Sequence, residues 1–367
     1  MADEIPTIQT IRAAIERAGA RWEAGTTSVS QLSSDERKRR LGAVPPPGEM
    51  SIDELERALA NRGPALAVRA VGAPAAYDLR NVNGVNYITS VKDQGQCGSC
   101  VAFGVCASIE GRYRRQRNDG NLAVDLSEAQ LFYCYGRQQG RNCSNGWWPD
   151  QALDAVKNGG LADESCYPYV AGDQNCSSLC GDWQGRAIRI TGHQKLGSPA
   201  DIKTWISTYG PVAACFIVYD DFFSYRSGIY RHVSGGQAGG HCVSIIGYDD
   251  GGGFWVCKNS WGTGWGENGF FCIAYGECGI DTWLVDAPLA VEETGWLNDR
   301  RVVGLWTIDQ DRNAWAYLDG GIAWRRIAYD NDNIFTDMLT QLSTAKAAKR
   351  PVNVLQQQGV ITQVYVL

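Results

Sequence analysis

Thirteen cysteines stand in this chain, and all of them lie between Cys97 and Cys278. That confinement divides the 367 residues into three stretches, of which only the middle one can carry a disulfide framework. A reducing cytosol rarely loads one segment in this way, so a secreted or otherwise extracytoplasmic location is expected. The count is odd. If most cysteines pair, at least one thiol is left over and needs a role. The opening Met1-Ala2-Asp3-Glu4 has neither the basic start nor the apolar core of a secretory signal, which leaves the route of export open. A net charge of −6 argues against a nucleic-acid or anionic-membrane partner, and no run of apolar residues is long enough to span a membrane. The basic runs Arg37 to Arg40 and Arg112 to Arg117 read as solvated helix faces.

In the first stretch, residues 1–74, Ile8, Ile11, Ile15, Ala18 and Trp22 recur at steps of three and four. That spacing predicts an amphipathic helix, which Gly25 should stop. A second short helix is expected after Ser33 or Ser34, and Ser51-Ile52-Asp53-Glu54 is a capping box that opens a third. Gly63-Pro64 and the Ala-rich run to Pro74 read as a linker. Short helices with so little core cannot stand alone, so they should lie on another part of the chain.

The second stretch, residues 75–288, predicts a helix from Cys100 toward Arg117 and a shorter one near Asp150 to Lys157. Strand-like runs follow at Val212 to Tyr219, His241 to Tyr248, Phe254 to Lys258 and Phe270 to Ala274. Helices first and strands second imply an α+β domain of two lobes. The third stretch, residues 289–367, reads as a small C-terminal β-rich module. Its strands are expected at Val302 to Ile308, Ala314 to Leu318, Ile322 to Ile327, Val352 to Gln357 and Ile361 to Leu367, with a helix over Ile334 to Lys349. Trp296, Trp306, Trp315 and Trp324 lie in alternating strands and are expected in its core; their exposure would instead mark a binding face.

The chemistry centres on Gln94-Gly95-Gln96-Cys97-Gly98-Ser99-Cys100. A thiol is a useful nucleophile only as the thiolate, and a helix N-terminus favours that form. Cys100 sits where the first long helix of the domain should start. A base must share the site to hold the proton. The chain has three histidines, and His241 opens an apolar strand 141 residues after Cys100. His193 and His232 read as surface or loop residues. Asn259, in Lys258-Asn259-Ser260-Trp261-Gly262, is a candidate to fix the imidazole tautomer. Cys97-Gly98-Ser99-Cys100 could alone be a thioredoxin-like redox pair, but the βαβ pattern that such a pair needs is missing. No second Cys-x-x-Cys half completes a zinc site, so no metal is expected.

The segment Gln94 to Phe103, the His241 strand and Asn259-Ser260-Trp261-Gly262-Thr263-Gly264-Trp265-Gly266 together resemble the papain family of cysteine peptidases. So do Cys143-Ser144-Asn145-Gly146 and Glu164-Ser165-Cys166-Tyr167-Pro168-Tyr169, and the resemblance spans residues 75 to 288. It implies a two-lobed fold, with a helical left lobe and a β-barrel-like right lobe. Cys100 would be the nucleophile, His241 its imidazolium partner, Asn259 the residue orienting His241, and Trp261 the cover over that hydrogen bond. Gln94 and the backbone N–H of Cys100 would form the oxyanion hole. Asn145, Gly146, Trp147, Trp148 and Gly240 would receive an extended polypeptide substrate; the alternative is that one of the two tryptophans belongs to the core.

The same resemblance implies disulfides Cys97–Cys143 and Cys134–Cys176, which leaves the pairing of eight other cysteines open. Residues 1–74 take the place of an inhibitory prosegment, which would cross the cleft in reverse. The long interlocking helical motif of common prosegments is not evident, so a short or divergent one is implied, with conversion between Arg62 and Tyr77. Val101 stands where a large aromatic is usual, which implies altered packing beneath the site. The Cys134–Cys143 insert lacks the histidines of a carboxypeptidase-type occluding loop, so endopeptidase action is implied. No cofactor is implied, and a monomer is expected. A catalytically silent binding protein is the alternative, against which stand all four expected active-site residues.

Overall fold

Two strands buried on both faces organise the middle of the chain. In the computed structural model, which describes residues 5–61, 70–293, 295–320, 322–328, 331–357 and 360–367, Val212–Tyr219 is buried at every position and Gln237–Asp249 from Gly240 to Tyr248. They pair antiparallel, with Cys215 opposite Cys242 and Phe216 opposite His241. Because strand side chains alternate, Ala213, Cys215 and Cys242 enter one hydrophobic core while Val212, Ala214, Phe216 and Val243 enter another. Double burial explains the nearly continuous apolar runs of both strands.

The first core belongs to the left lobe. It is built on the helix Cys100–Arg117, the π-helical turn Gln130–Gly136 and the helix Pro149–Gly159. The right lobe is a sheet of nine strands. Its path runs Arg21–Ala24, Tyr225–Tyr230, Phe270–Ala274, Phe254–Lys258, Gln237–Asp249, Val212–Tyr219, Val285–Pro288 and His193–Lys195, with Ala76–Asp78 pairing beside Gln237–Asp249. Among the described residues the two ends of this path do not pair, so the lobe is not a closed barrel.

The N-terminal segment lies on the right lobe, as its small core requires. Its first helix, Ile8–Ala18, stops at Gly19 and not at Gly25. Gly19 adopts the left-handed conformation (φ 59°) and returns its N–H to the carbonyls of Ile15 and Glu16. Trp22, which fits the helical stripe by spacing, belongs instead to the strand Arg21–Ala24, whose burial alternates. That strand adds to the edge of Tyr225–Tyr230, and Trp22 packs against Tyr225 and Tyr230. The capping box forms at Ser51: its hydroxyl accepts the Glu54 N–H, and Glu54 accepts the Ser51 N–H at 2.8 Å. The helix that it opens, Ile52–Ala60, buries Leu55 against the Gly279 turn. Residues 62–69, which include Gly63-Pro64 of the expected linker, lie outside the described residues.

All thirteen cysteines are described. Cys97–Cys143 and Cys134–Cys176 are bonded as the resemblance implies, and Cys166–Cys180 is a third disulfide. The other seven are thiols: of the eight cysteines whose pairing was left open, only Cys166 and Cys180 pair, and Cys100 is free as well. Cys106, Cys215, Cys242 and Cys257 are fully buried in the two cores, where they serve as small apolar side chains.

After Pro288 the chain first stays on the left lobe, where Val291–Glu293 pairs with Ile188–Ile190. Six strands then form a separate sheet in the order Gly295–Arg300, Val352–Gln357, Val360–Val366, Ala323–Ile327, Ala314–Leu318 and Val302–Thr307. The helix Asp332–Ala348 covers one face, placing Met338, Leu342 and Ala345 on Ala314, Ala316, Leu318, Val352 and Val354. Trp306, Tyr317 and Trp324 alternate to the other face and are about half exposed, as is Trp296. The expected tryptophan core is therefore corrected: the helix presents small aliphatic side chains, and strand alternation directs the indoles away from it.

His193 is not a free surface residue. It bridges Asp286 (2.9 Å) and Asp154 (3.3 Å), joining the right-lobe sheet to the helix Pro149–Gly159. The hydrogen bond to Asp286 holds its pKa above the usual value despite burial. A raised folded-state pKa adds stability below the unfolded value, about 6.5, and that stability is lost as pH rises through the folded pKa. In a Cys100→Ser background, where self-cleavage cannot intervene, His193→Gln should therefore lower the thermal midpoint more at pH 5 than at pH 9. Paired calorimetric scans check this; an equal loss at both values would show the bridge to be uncharged.

Candidate active site

The helix Cys100–Arg117 begins at the seam between the lobes. Ser99 occupies its N-cap without a side-chain cap bond, and its hydroxyl pairs instead with Tyr169 Oη at 2.7 Å. The Cys100 sulfur is faced by the backbone N–H groups of Cys242, Gly42 and Val101. Cys242 follows His241 on its strand, so the helix start and the strand bring nucleophile candidate and base candidate together. His241 Nε2 meets Asn259 Oδ1 at 2.8 Å. An amide oxygen only accepts, so Nε2 carries the proton and Nδ1 is the basic atom. Nδ1 has no well-formed hydrogen bond, although the Arg40 carbonyl faces it. The Trp261 ring lies over the imidazole, 4.7 Å between centroids, and seals the His241–Asn259 pair from water.

Gln94 is fully buried and held at both ends of its amide. Ser260 Oγ donates to its Oε1 at 2.7 Å, and its Nε2 donates to Cys97 O at 2.8 Å and to Arg40 O at 2.9 Å. The carbonyl of Arg40, from the N-terminal segment, thus takes up the amide that was expected to stabilise an oxyanion.

Residues 40–44 thread the cleft between the lobes. Gly42 N and Ala43 N donate to Gly240 O, both at 3.0 Å, on the right. Trp147 N donates to Gly42 O at 2.8 Å and Val44 N to Trp147 O at 3.0 Å on the left, in parallel pairing. Backbones approach here so closely that side chains are excluded. A Cβ on Gly42 would lie 2.0 Å from Gly98 O, and one on Gly146, whose φ is +61°, would lie 2.0 Å from Gly42 O. Arg40 adds an ion pair to Asp93 at 2.7 Å. Under this cover burial pushes the Cys100 thiol up, and burial pulls His241 down to about 4 against the favourable Asn259 bond. Both groups are therefore neutral at pH 7.

Of the expected substrate residues, Gly146 and Gly240 line the cleft by their backbones. Trp147 does so by its backbone alone. Its ring is fully buried in the left-lobe core, with Nε1 donating to Gln139 Oε1 at 3.0 Å, so its assignment to a side-chain subsite is corrected. Trp148 is nearly buried beneath the Arg141 guanidinium. Asn145 points into its own loop, accepting from Asn142 N and donating to Gly140 O, and so does not narrow the cleft. Val101 is packed in the left-lobe core.

The chain as a whole is similar to known proteins. A papain family cysteine protease domain matches residues 73–287. The chain belongs to the papain family of cysteine proteases. Cathepsin B-like CP3 of Giardia intestinalis is 35% identical over 286 residues, covering 74% of this chain and 90% of that one. Among solved structures, procathepsin B S9 from Trypanosoma congolense superposes with a TM-score of 0.62 at 25% identity, covering 78% of this chain and 98% of that one. Procathepsin L 3 from the Tenebrio molitor larval midgut gives 0.60 at 27% identity, covering 77% and 88%. These structures are precursors, with a prosegment lying on the enzyme. The present chain is likewise a cysteine peptidase zymogen.

Sequence reasoning missed several supports of this papain-family site. Ser260 fixes the Gln94 amide, and Tyr169 Oη donates to Gln94 O at 2.8 Å while meeting Ser99. Lys92 pairs with Glu128 at 2.8 Å and Asp125 at 2.6 Å, and Lys258 donates to Thr89 Oγ1, which donates to Glu110 at 2.5 Å. This buried chain ties the loop before Gln94 and the residue before Asn259 to the central helix. Only the Asn-Ser-Trp sequence hinted at any of it. Among the described residues, one cluster has the spacing of metal ligands, Cys166, Cys180 and Asp182, but its two sulfurs are joined in a disulfide. In activated enzyme, Gln94→Ala should lower kcat about a hundredfold to a thousandfold with KM little changed. Steady-state hydrolysis of a fluorogenic peptide amide measures this, and a change confined to KM would assign Gln94 to substrate binding.

Proposed function

We propose that the two lobes form an endopeptidase whose nucleophile is Cys100 and that residues 1–74 hold it latent. The Cys100 thiolate attacks the peptide carbonyl, and the developing oxyanion is received by Gln94 Nε2 and the Cys100 N–H. His241 Nδ1 takes the thiol proton and returns it to the leaving amine, while Asn259 keeps the ring in position and Trp261 excludes water. Water then hydrolyses the thioester. The observation that carries this assignment is the Arg40 carbonyl on Gln94 Nε2, a peptide oxygen resting where the oxyanion of a substrate would form.

Parallel pairing of residues 42–44 with Trp147 supports a prosegment that runs through the cleft in reverse. Endopeptidase action is supported by the Cys134–Cys143 stretch, which holds no histidine. Conversion is assigned to the stretch before Ala76, where Ala76–Asp78 is already paired with the right lobe and the Val71 side chain is fully exposed. Residues 62–69 of that window lie outside the described residues. The disulfides support an extracytoplasmic location, and no described helix is long and apolar enough to cross a membrane. Residues 289–367 serve as an accessory module of a monomer, attached to the left lobe through Val291–Glu293.

Gly42→Ala tests the latency directly, because the added methyl meets backbone at Gly98. The unprocessed variant should take up an epoxysuccinyl inhibitor on Cys100 at least about tenfold faster than the unprocessed parent chain. Equal rates would mean that latency does not depend on this crossing. Cys100→Ser should abolish both labelling and hydrolysis. N-terminal sequencing of activated enzyme should give a start between residues 62 and 77, and a start elsewhere overturns the assigned conversion stretch.

A further inference from the structure

Beneath Cys100 lie two thiols that hydrolysis does not use, Cys242 and Cys215. Cys242 follows His241, and its backbone N–H faces the Cys100 sulfur. Alternation along the strand turns its side chain away from the right-lobe core and into the left-lobe core, which also holds Cys100. There its Sγ lies 2.8 Å from where a Cβ on Gly104 would stand. Gly104 is one helical turn below Cys100 on the same face of the helix, an axial rise of about 6 Å. The Cys242 sulfur therefore lies on the side of the helix that carries Cys100, about one turn along it. Cys215 is its cross-strand partner, one strand further away.

We propose that Cys242 is a resolving thiol for Cys100, so that oxidation by hydrogen peroxide traps the activated enzyme as a reversible Cys100–Cys242 disulfide. This rests on Cys100 being the nucleophile, whose thiolate is the form that peroxide attacks. In the first step the Cys100 sulfur takes one oxygen from peroxide: the O–O bond breaks, hydroxide leaves, and Cys100 becomes a sulfenic acid. In the second, the Cys242 sulfur attacks that sulfur, the S–O bond breaks, and its oxygen leaves as water with the Cys242 proton. An added dithiol then reduces the bond and returns both thiols. Without a resolving thiol, a second peroxide takes the sulfenic acid to sulfinic acid, which dithiols do not reverse. The zymogen is protected differently, since residues 40–44 cover Cys100.

The test treats activated parent enzyme, Cys242→Ala and Cys215→Ala with peroxide until hydrolysis stops, and then with dithiothreitol. The parent and Cys215→Ala should regain more than about half of their activity, and Cys242→Ala, active before treatment, less than about a tenth. Mass spectrometry of oxidised parent enzyme should find the Cys100 and Cys242 peptides joined and two hydrogens lighter. Equal recovery in all three proteins, or a Cys215–Cys242 link with Cys100 as sulfinic acid, would overturn the proposal. Should Cys242→Ala not fold, the parent's linked peptides decide alone. If untreated parent enzyme neither hydrolyses peptides nor takes up the epoxysuccinyl label, the peptidase assignment itself fails, and this proposal falls with it.

Discussion

Everything at the catalytic seam depends on how closely one helix can approach two strands. Gly104 and Gly111 make the contact possible: a side chain at Gly104 would strike Cys242 Sγ and Val243 O, and one at Gly111 would strike the Pro211 ring at 2.5 Å. With those positions bare, the helix Cys100–Arg117 beds on the paired strands and its first turn arrives beside His241. The same contact divides the domain, because the strands it touches send alternate side chains to two cores. The meeting of helix N-terminus and imidazole at the cleft is thus a consequence of one packing distance.

The latency proposed above rests on a second close approach. Gly42 passes between Gly98, Gly146 and Gly240, and each would be blocked by a methyl group. Backbone-to-backbone contact fills the cleft without needing a side chain that fits a particular pocket. It also removes solvent from Cys100 and His241, which destabilises their charged forms. Obstruction and loss of the ion pair therefore arise from the same five residues, and both are relieved together when the segment leaves.

Much of this was legible in the sequence. The central helix, four of the right-lobe strands and most elements of the last module follow from periodicity, and the candidate site residues come from motifs that hold Cys100, His241 and Asn259 in order. What escaped did so for identifiable reasons. Trp22 fits a helical stripe and a strand equally well, so only Gly19 decides between them. The tryptophans of the last module alternate as a core set would, and sequence does not say which face a helix will cover. Trp147 and Ser260 are silent because their roles depend on partners distant in the chain: Gln139 and the core for one, Gln94 for the other.

The strand Arg21–Ala24 has a consequence for the activated enzyme. In the precursor it satisfies the outer backbone groups of Tyr225–Tyr230, on which, among the described residues, no other strand pairs from that side. Loss of the prosegment leaves that strand as a bare edge, with the Tyr225 and Tyr230 rings stripped of the Trp22 indole. An unpaired edge beside aromatic side chains is a template for any extended peptide. Maturation thus exchanges an edge strand lent by the N-terminal segment for an edge strand of the catalytic domain itself, guarded by its shortness and by the exposed charge of Arg226 near its start.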